Sequence, residues 1–214
     1  LDAIYKDYQL PEHVTDYPSK TERKALNLQA QEKVKKLHAL FIKGIADGKK
    51  GNYDCAIEKF ETINRHFPSR ENYNNIGVYY TLKALSIYPI SRAAYLKPKR
   101  FTYPVQIDKD SRLVLQTQTR STSFETQKTI KTSLLNAKKS FEKSISLDPV
   151  YYNAFINLAC VYDLLDNPEA ALGKIKELPK HIQRKNRSTR IKAIAYYHME
   201  LEPKALELWQ ELGI

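Results

Sequence analysis

No stretch of this chain is apolar enough to cross a bilayer. The longest apolar runs, such as Val161-Tyr162 or Ala193 to Tyr197, fall far short of the roughly 18–20 residues a membrane helix needs. A basic start followed by an apolar stretch is also missing, so no secretory leader is expected. The start at Leu1 rather than Met fits a processed chain or a piece of a longer one, which leaves cytoplasm and periplasm both open. Six glycines and ten prolines are too few for a low-complexity linker. The two cysteines, Cys55 and Cys160, belong to no C-x-x-C pair and are expected as buried helix residues.

Catalytic signatures are equally scarce. The five histidines (His13, His38, His66, His181, His198) show no H-x-x-x-H or H-E-x-x-H spacing, which argues against a helical zinc site. The phosphate-cradling G-x-x-x-x-G-K-[ST] loop, the G-x-G-x-x-G turn and the G-x-S-x-G nucleophile elbow are all absent. Glu58 and Glu61 read as solvated helix surface. The expectation is therefore a non-catalytic chain with no cofactor and no metal. What remains is a soluble composition, 42% hydrophobic and 28% charged, with a net charge of +11.

Against these absences stands a period. Ala56 is followed four positions later by Phe60, Ala137 by Phe141, Ala171 by Ile175 and Ala205 by Trp209. The last three alanines are evenly spaced, 34 residues apart, and the gap from Ala56 to Ala137 is that period plus 47. Small residues (Gly44, Ala56, Gly77, Ala159, Ala171) let two helices approach closely. Large ones (Phe60, Tyr80, Phe141, Tyr162, Trp209) fill the space between neighbours. Pro68 and Pro149 follow Ala56 and Ala137 by 12 residues and stop their helices.

The clearest segments are Gly51 to Phe60, Tyr73 to Tyr80 and Phe155 to Tyr162, and their pattern resembles the tetratricopeptide repeat over about three quarters of the chain. Two positions depart from it: Asp47 stands where Tyr is usual, and Lys192 where Leu is usual. The resemblance implies an all-α fold, a right-handed α-solenoid of helix pairs that stack because none buries its apolar face alone. The expected organisation is an N-terminal extended segment and leading helix over 1–36, then a solenoid over 37–214. Its repeats fall at about 37–69, 70–151, 152–185 and 186–214, the second interrupted by an insertion at about 89–123.

Within the insertion Phe101, Tyr103, Val105 and Ile107 alternate, then Leu113 and Leu115 follow the polar Asp108-Lys109-Asp110-Ser111. Period-two alternation around a turn-prone tetrapeptide predicts a β-hairpin. Its flanking helices are expected at 71–88 and 124–147. Between Lys83 and Asn136 ten Lys and Arg face three acids, and Arg92, Lys97, Lys99, Arg100, Lys109 and Arg112 form the basic part of the insertion. A second cluster, Lys180, Arg184, Lys185, Arg187, Arg190 and Lys192, contains no acid. Solvated surface, a dock for an acidic protein and polyanion or RNA binding all produce such clusters.

The resemblance also implies a groove lined by the second, fifth and ninth residues of each unit. These are His38, Phe41 and Ile45; Asn74 and Val78, with Glu71 at the rim; Asn153, Ile156 and Cys160; and Arg187, Arg190 and Ile194. Relatives that clamp a terminal carboxylate carry Lys and Asn where this chain has Phe41 and Ile45, so no such clamp is expected. Asn75 and Asn157 sit where Asn is ordinary for the family and read as helix-stabilising or inter-repeat hydrogen bonds. The functional expectation is a scaffold for a protein or peptide partner, an acidic one included. A polyanion or RNA binder, or the regulatory domain of a larger enzyme, stands as the alternative.

Overall fold

The computed structural model describes residues 20–87 and 124–213, and side chains from residue 28 onward. The chain divides into two compact units, Leu1–Ala39 and Leu40–Ile214, with the boundary inside the first described helix, α1 (Lys20–Lys49). In the first unit α1 presents Leu28 and Val34 to solvent, both at least half exposed.

The second unit holds the end of α1 and then α2 (Tyr53–His66), α3 (Arg70–Ile87), α4 (Phe124–Leu147) and α5 (Tyr152–Leu164). After these come α6 (Pro168–Lys176), the short α7 (Lys180–Gln183), α8 (Asn186–His198) and α9 (Glu202–Glu211). The helices form successive pairs, the end of α1 with α2, α3 with α4, α5 with α6 and α8 with α9. Each pair's second helix also meets the next pair's first helix, α2 on α3, α4 on α5 and α6 on α8. First helices touch in turn, α3 to α5 and α5 to α8. This is stacked helix-pair packing, in which each pair covers its neighbour's apolar face. Among the described residues there is no strand. The hairpin expected at about 89–123 lies outside the described residues, and its flanking helices run Arg70–Ile87 and Phe124–Leu147.

The alanine register explains the pairing. Ala56, Ala137, Ala171 and Ala205 all lie on second helices and are all fully buried. Four residues on, one turn further along the same helix face, Phe60, Phe141, Ile175 and Trp209 are buried too. Opposite them the first helices offer small residues: an added Cβ on Gly44 would meet Phe60 at 2.9 Å, and one on Gly77 would meet Phe141 at 2.6 Å. Phe60 also takes the edge of Phe41, centroids 5.3 Å apart, and stacks on Tyr79 at 5.7 Å. Burying an aromatic of this kind is worth roughly 2–3 kcal/mol. Where tyrosine is usual in the first repeat, Asp47 instead pairs with Lys59 across the α1–α2 turn at 2.7 Å.

The turns within pairs repeat as well. Gly51, Asp166 and Glu200 occupy one position in their units, and all three have positive φ, at 84°, 62° and 60°. The next residue's amide reaches back over the helix end: Asn52 to the Asp47 carbonyl, Asn167 to Tyr162 and Leu201 to Tyr196, at 2.9–3.0 Å. These are six-to-one bonds of a left-handed helix terminus, which satisfy carbonyls the helix leaves open. Asn167 then opens α6 by accepting a hydrogen bond from the Ala170 amide at 3.1 Å, with Pro168 in the first turn. In α5 every residue from Ala154 to Val161 is buried, as befits a helix packed by neighbours on several sides.

One cysteine differs from expectation. Cys160 is buried on α5, but Cys55 is exposed, because α2 turns Ala56, Ile57, Phe60 and Ile63 inward and position 55 falls on its outer face.

Candidate functional site

The groove candidates on α3, α5 and α8 meet in a polar ladder. Asn157, 2% exposed on α5, donates from Nδ2 to Asn74 Oδ1 on α3 at 2.9 Å. Its own Oδ1 accepts from the Arg187 guanidinium on α8 at 3.0 Å. Arg187 also reaches Asn153 Oδ1, one turn before Asn157, at 3.4 Å. Three first helices are thus cross-linked by one buried amide. A buried amide with these partners avoids the desolvation cost of roughly 1–3 kcal/mol that an unmet polar group carries. Asn153 is exposed and its Nδ2 donors have no partner among the described residues, so an outside carbonyl can accept from them.

The other candidates separate into two groups. Ile156, Cys160 and Ile194 lie within the apolar core between α5, α6 and α8, each no more than 5% exposed, and back the ladder without offering surface. Burial pushes the Cys160 thiol well above its usual range, against the opposing charge of Arg187, so it stays protonated and unreactive. Val78, Arg190, Phe41 and Ile45 are half-buried, Phe41 being held against Phe60. His38 is exposed and belongs to the first unit. Arg92, Lys97, Lys99, Arg100, Lys109 and Arg112 lie outside the described residues.

A second pair, with no motif to mark it in the sequence, crosses the same helices. His198 Nδ1 on α8 lies 3.0 Å from Asp163 Oδ1 on α5, and Asp163 is 4% exposed. Burial raises the Asp163 carboxyl above its usual range despite the lowering effect of His198. For His198 burial acts downward, but the hydrogen bond and charge of Asp163, helped by Asp166, outweigh it and raise the imidazole. Both groups therefore give up their protons at higher pH in the folded chain than in the unfolded one.

A shallow cleft of about 390 Å³ opens where the α2–α3 turn meets the end of α4, lined by Phe67, Pro68, Ser69, Arg70, Glu71, Leu147 and Asp148. Its charges are already matched, since Arg70 pairs with Asp148 and, at 2.6 Å, with Glu71. Among the described residues no group of three or more His, Cys, Asp or Glu side chains is placed to hold a metal ion, and no helix is long and apolar enough to cross a membrane.

No family model matches this chain, and neither does any curated protein. Solved structures that resemble it include a MamA protein at 17% identity, spanning 81% of this chain and 88% of that one with a TM-score of 0.34. A second MamA structure matches at 19% identity over 78% of this chain and 90% of that one, TM-score 0.32. TTC0263, described as a thermophilic TPR protein in Thermus thermophilus, matches at 15% identity over 82% and 89%, TM-score 0.37. The chain's own helix contacts, buried alanine register and repeated turns give the described residues of the second unit a stacked helix-pair fold like that of tetratricopeptide repeats.

Proposed function

We propose that this chain is a non-catalytic scaffold that docks a segment of a partner protein on the face formed by α3, α5 and α8. The observation that carries the reading is the Asn74–Asn157–Arg187 ladder with Asn153 at its exposed end. It fixes three neighbouring helices and leaves amide donors toward solvent, a pattern that grips a peptide backbone with little demand on side-chain sequence. Half-buried Val78 supplies apolar surface on α3, with Phe41 and Ile45 adding more on α1, while the net charge of +11 favours a partner with acidic character. The insertion at about 89–123 is proposed as a second contact, which deleting residues 90–122 and repeating partner capture examines.

A photo-crosslinking residue at Asn153 tests the dock. On this reading it joins the partner covalently, whereas the same residue at Lys139, exposed on α4, does not. Equal yields at both positions, or crosslinks from Lys139 alone, would remove the dock from this face.

A further inference from the structure

The chain from Leu178 to Met199 carries Lys180, Arg184, Lys185, Arg187, Arg190 and Lys192 without a single Asp or Glu. The fold gives the first part of this stretch a rigid base. Leu178 and Ile182 turn inward into the core between α5, α6 and α8, at 3% and 7% exposure. Gln183 Nε2 donates to the carbonyls of Leu178 at 2.7 Å and Lys176 at 3.1 Å, tying α7 to the end of α6. Backbone bonds from Arg184 to the Lys180 carbonyl and from Lys185 to Ile182 close the turn. Held in this way, Lys180, His181, Arg184 and Lys185 reach solvent.

Among the described residues no carboxylate pairs with Lys180, Arg184 or Lys185, and the preceding acid, Glu177, is engaged by Lys174 at 2.8 Å. Elsewhere Lys59, Lys83 and Arg70 each meet a carboxylate. Like charges fixed this close repel one another, and an incoming run of negative charge relieves that repulsion. The surroundings select the kind of anion. The large apolar residues here, Leu178, Ile182 and Ile191, are buried, so nothing is available to anchor in a bilayer. No Phe, Tyr or Trp lies between Leu178 and Ile194, so this stretch offers no large ring on which unpaired bases would stack.

We infer that the α7 corner, carrying Lys180, Arg184 and Lys185, is a docking site for an acidic polypeptide segment, adjoining the α3–α5–α8 dock at Lys185, which stands two residues before Arg187. The test is fluorescence anisotropy of a labelled oligo-glutamate peptide titrated with the full chain. A Lys180→Glu, Arg184→Glu, Lys185→Glu variant is compared with a Lys139→Glu, Lys143→Glu control altered on the outer side of α4. None of the five side chains is buried, so both variants keep the fold, which circular dichroism checks. The expected result is salt-sensitive binding that weakens roughly tenfold or more in the triple variant and is retained by the control. Absence of peptide binding, or equal losses in both variants, overturns the site. So does tighter binding of a duplex RNA, or of phosphatidylserine vesicles, that the triple variant abolishes.

Discussion

Asp166 and Glu200 hold the same left-handed backbone conformation, φ 62° and 60°, at turns 34 residues apart. Gly51 shares that conformation at the α1–α2 turn, and no neighbouring heavy atom lies within 4 Å of where its Cβ would stand. The position therefore reports backbone strain alone. A non-glycine residue there loses roughly 1–2 kcal/mol, partly offset by the roughly 0.4–1 kcal/mol of freedom that glycine adds to the unfolded chain. Glu200→Gly is expected to raise stability by about 0.5 kcal/mol and Gly51→Ala to lower it by about 1 kcal/mol, both read from urea midpoints.

Close helix approach makes the opposite demand on glycine. A Cβ on Gly77 would lie 2.6 Å from the Phe141 ring, and Phe141 is fully buried with nowhere to retreat. Gly77→Ala is expected to cost about 1–3 kcal/mol through overpacking. Gly173, inside α6 with open space around it, should behave in reverse, Gly173→Ala gaining about 0.5–1 kcal/mol of helix propensity. Equal effects at the two sites in thermal unfolding would contradict the packing described.

The Asp163–His198 pair sets a pH dependence. Both groups are raised, so the folded chain holds more protons than the unfolded one, and stability must fall as pH rises. The His198 contribution is complete below its unfolded value near 6.5 and is lost as pH climbs through the higher folded value. Urea unfolding of the native chain should weaken on that climb, and a His198→Asn variant should show a flatter profile. Removing the partner outright in His198→Ala leaves Asp163 buried and unmatched, at a cost of about 3 kcal/mol.

Asn157 is the hub of the ladder. Replacing it by Ala leaves Asn74 Oδ1 and one Arg187 donor without their present partner. The expected loss is about 1–3 kcal/mol in chemical denaturation. Asn153→Ala, at the exposed end, should leave stability nearly unchanged while weakening partner capture.

The fold was legible because its signal is steric. Ala56, Ala137, Ala171 and Ala205 had to be small where helices approach, and Phe60, Phe141, Ile175 and Trp209 had to be large beside them. The helices expected at 71–88 and 124–147 run Arg70–Ile87 and Phe124–Leu147. The left-handed turns at Asp166 and Glu200 left no trace, since neither is the glycine that such turns favour. Groove positions transferred by number placed Ile156, Cys160 and Ile194 on a surface, yet α5 and α8 are covered by neighbours where those side chains lie. Their apolar character was the available hint. The Asp163–His198 pair escaped because its members are remote in sequence; a titratable residue directly after each of Tyr162 and Tyr197 was the one clue.

Amide hydrogen exchange of the full chain, free and partner-bound, tests the proposed dock most directly. The account requires new protection in α5 and α8 around Asn153 and Arg187, with the outer faces of α4 and α6 unchanged. Protection confined to α4, α6 and α9, with α5 and α8 exchanging as in the free chain, would contradict it.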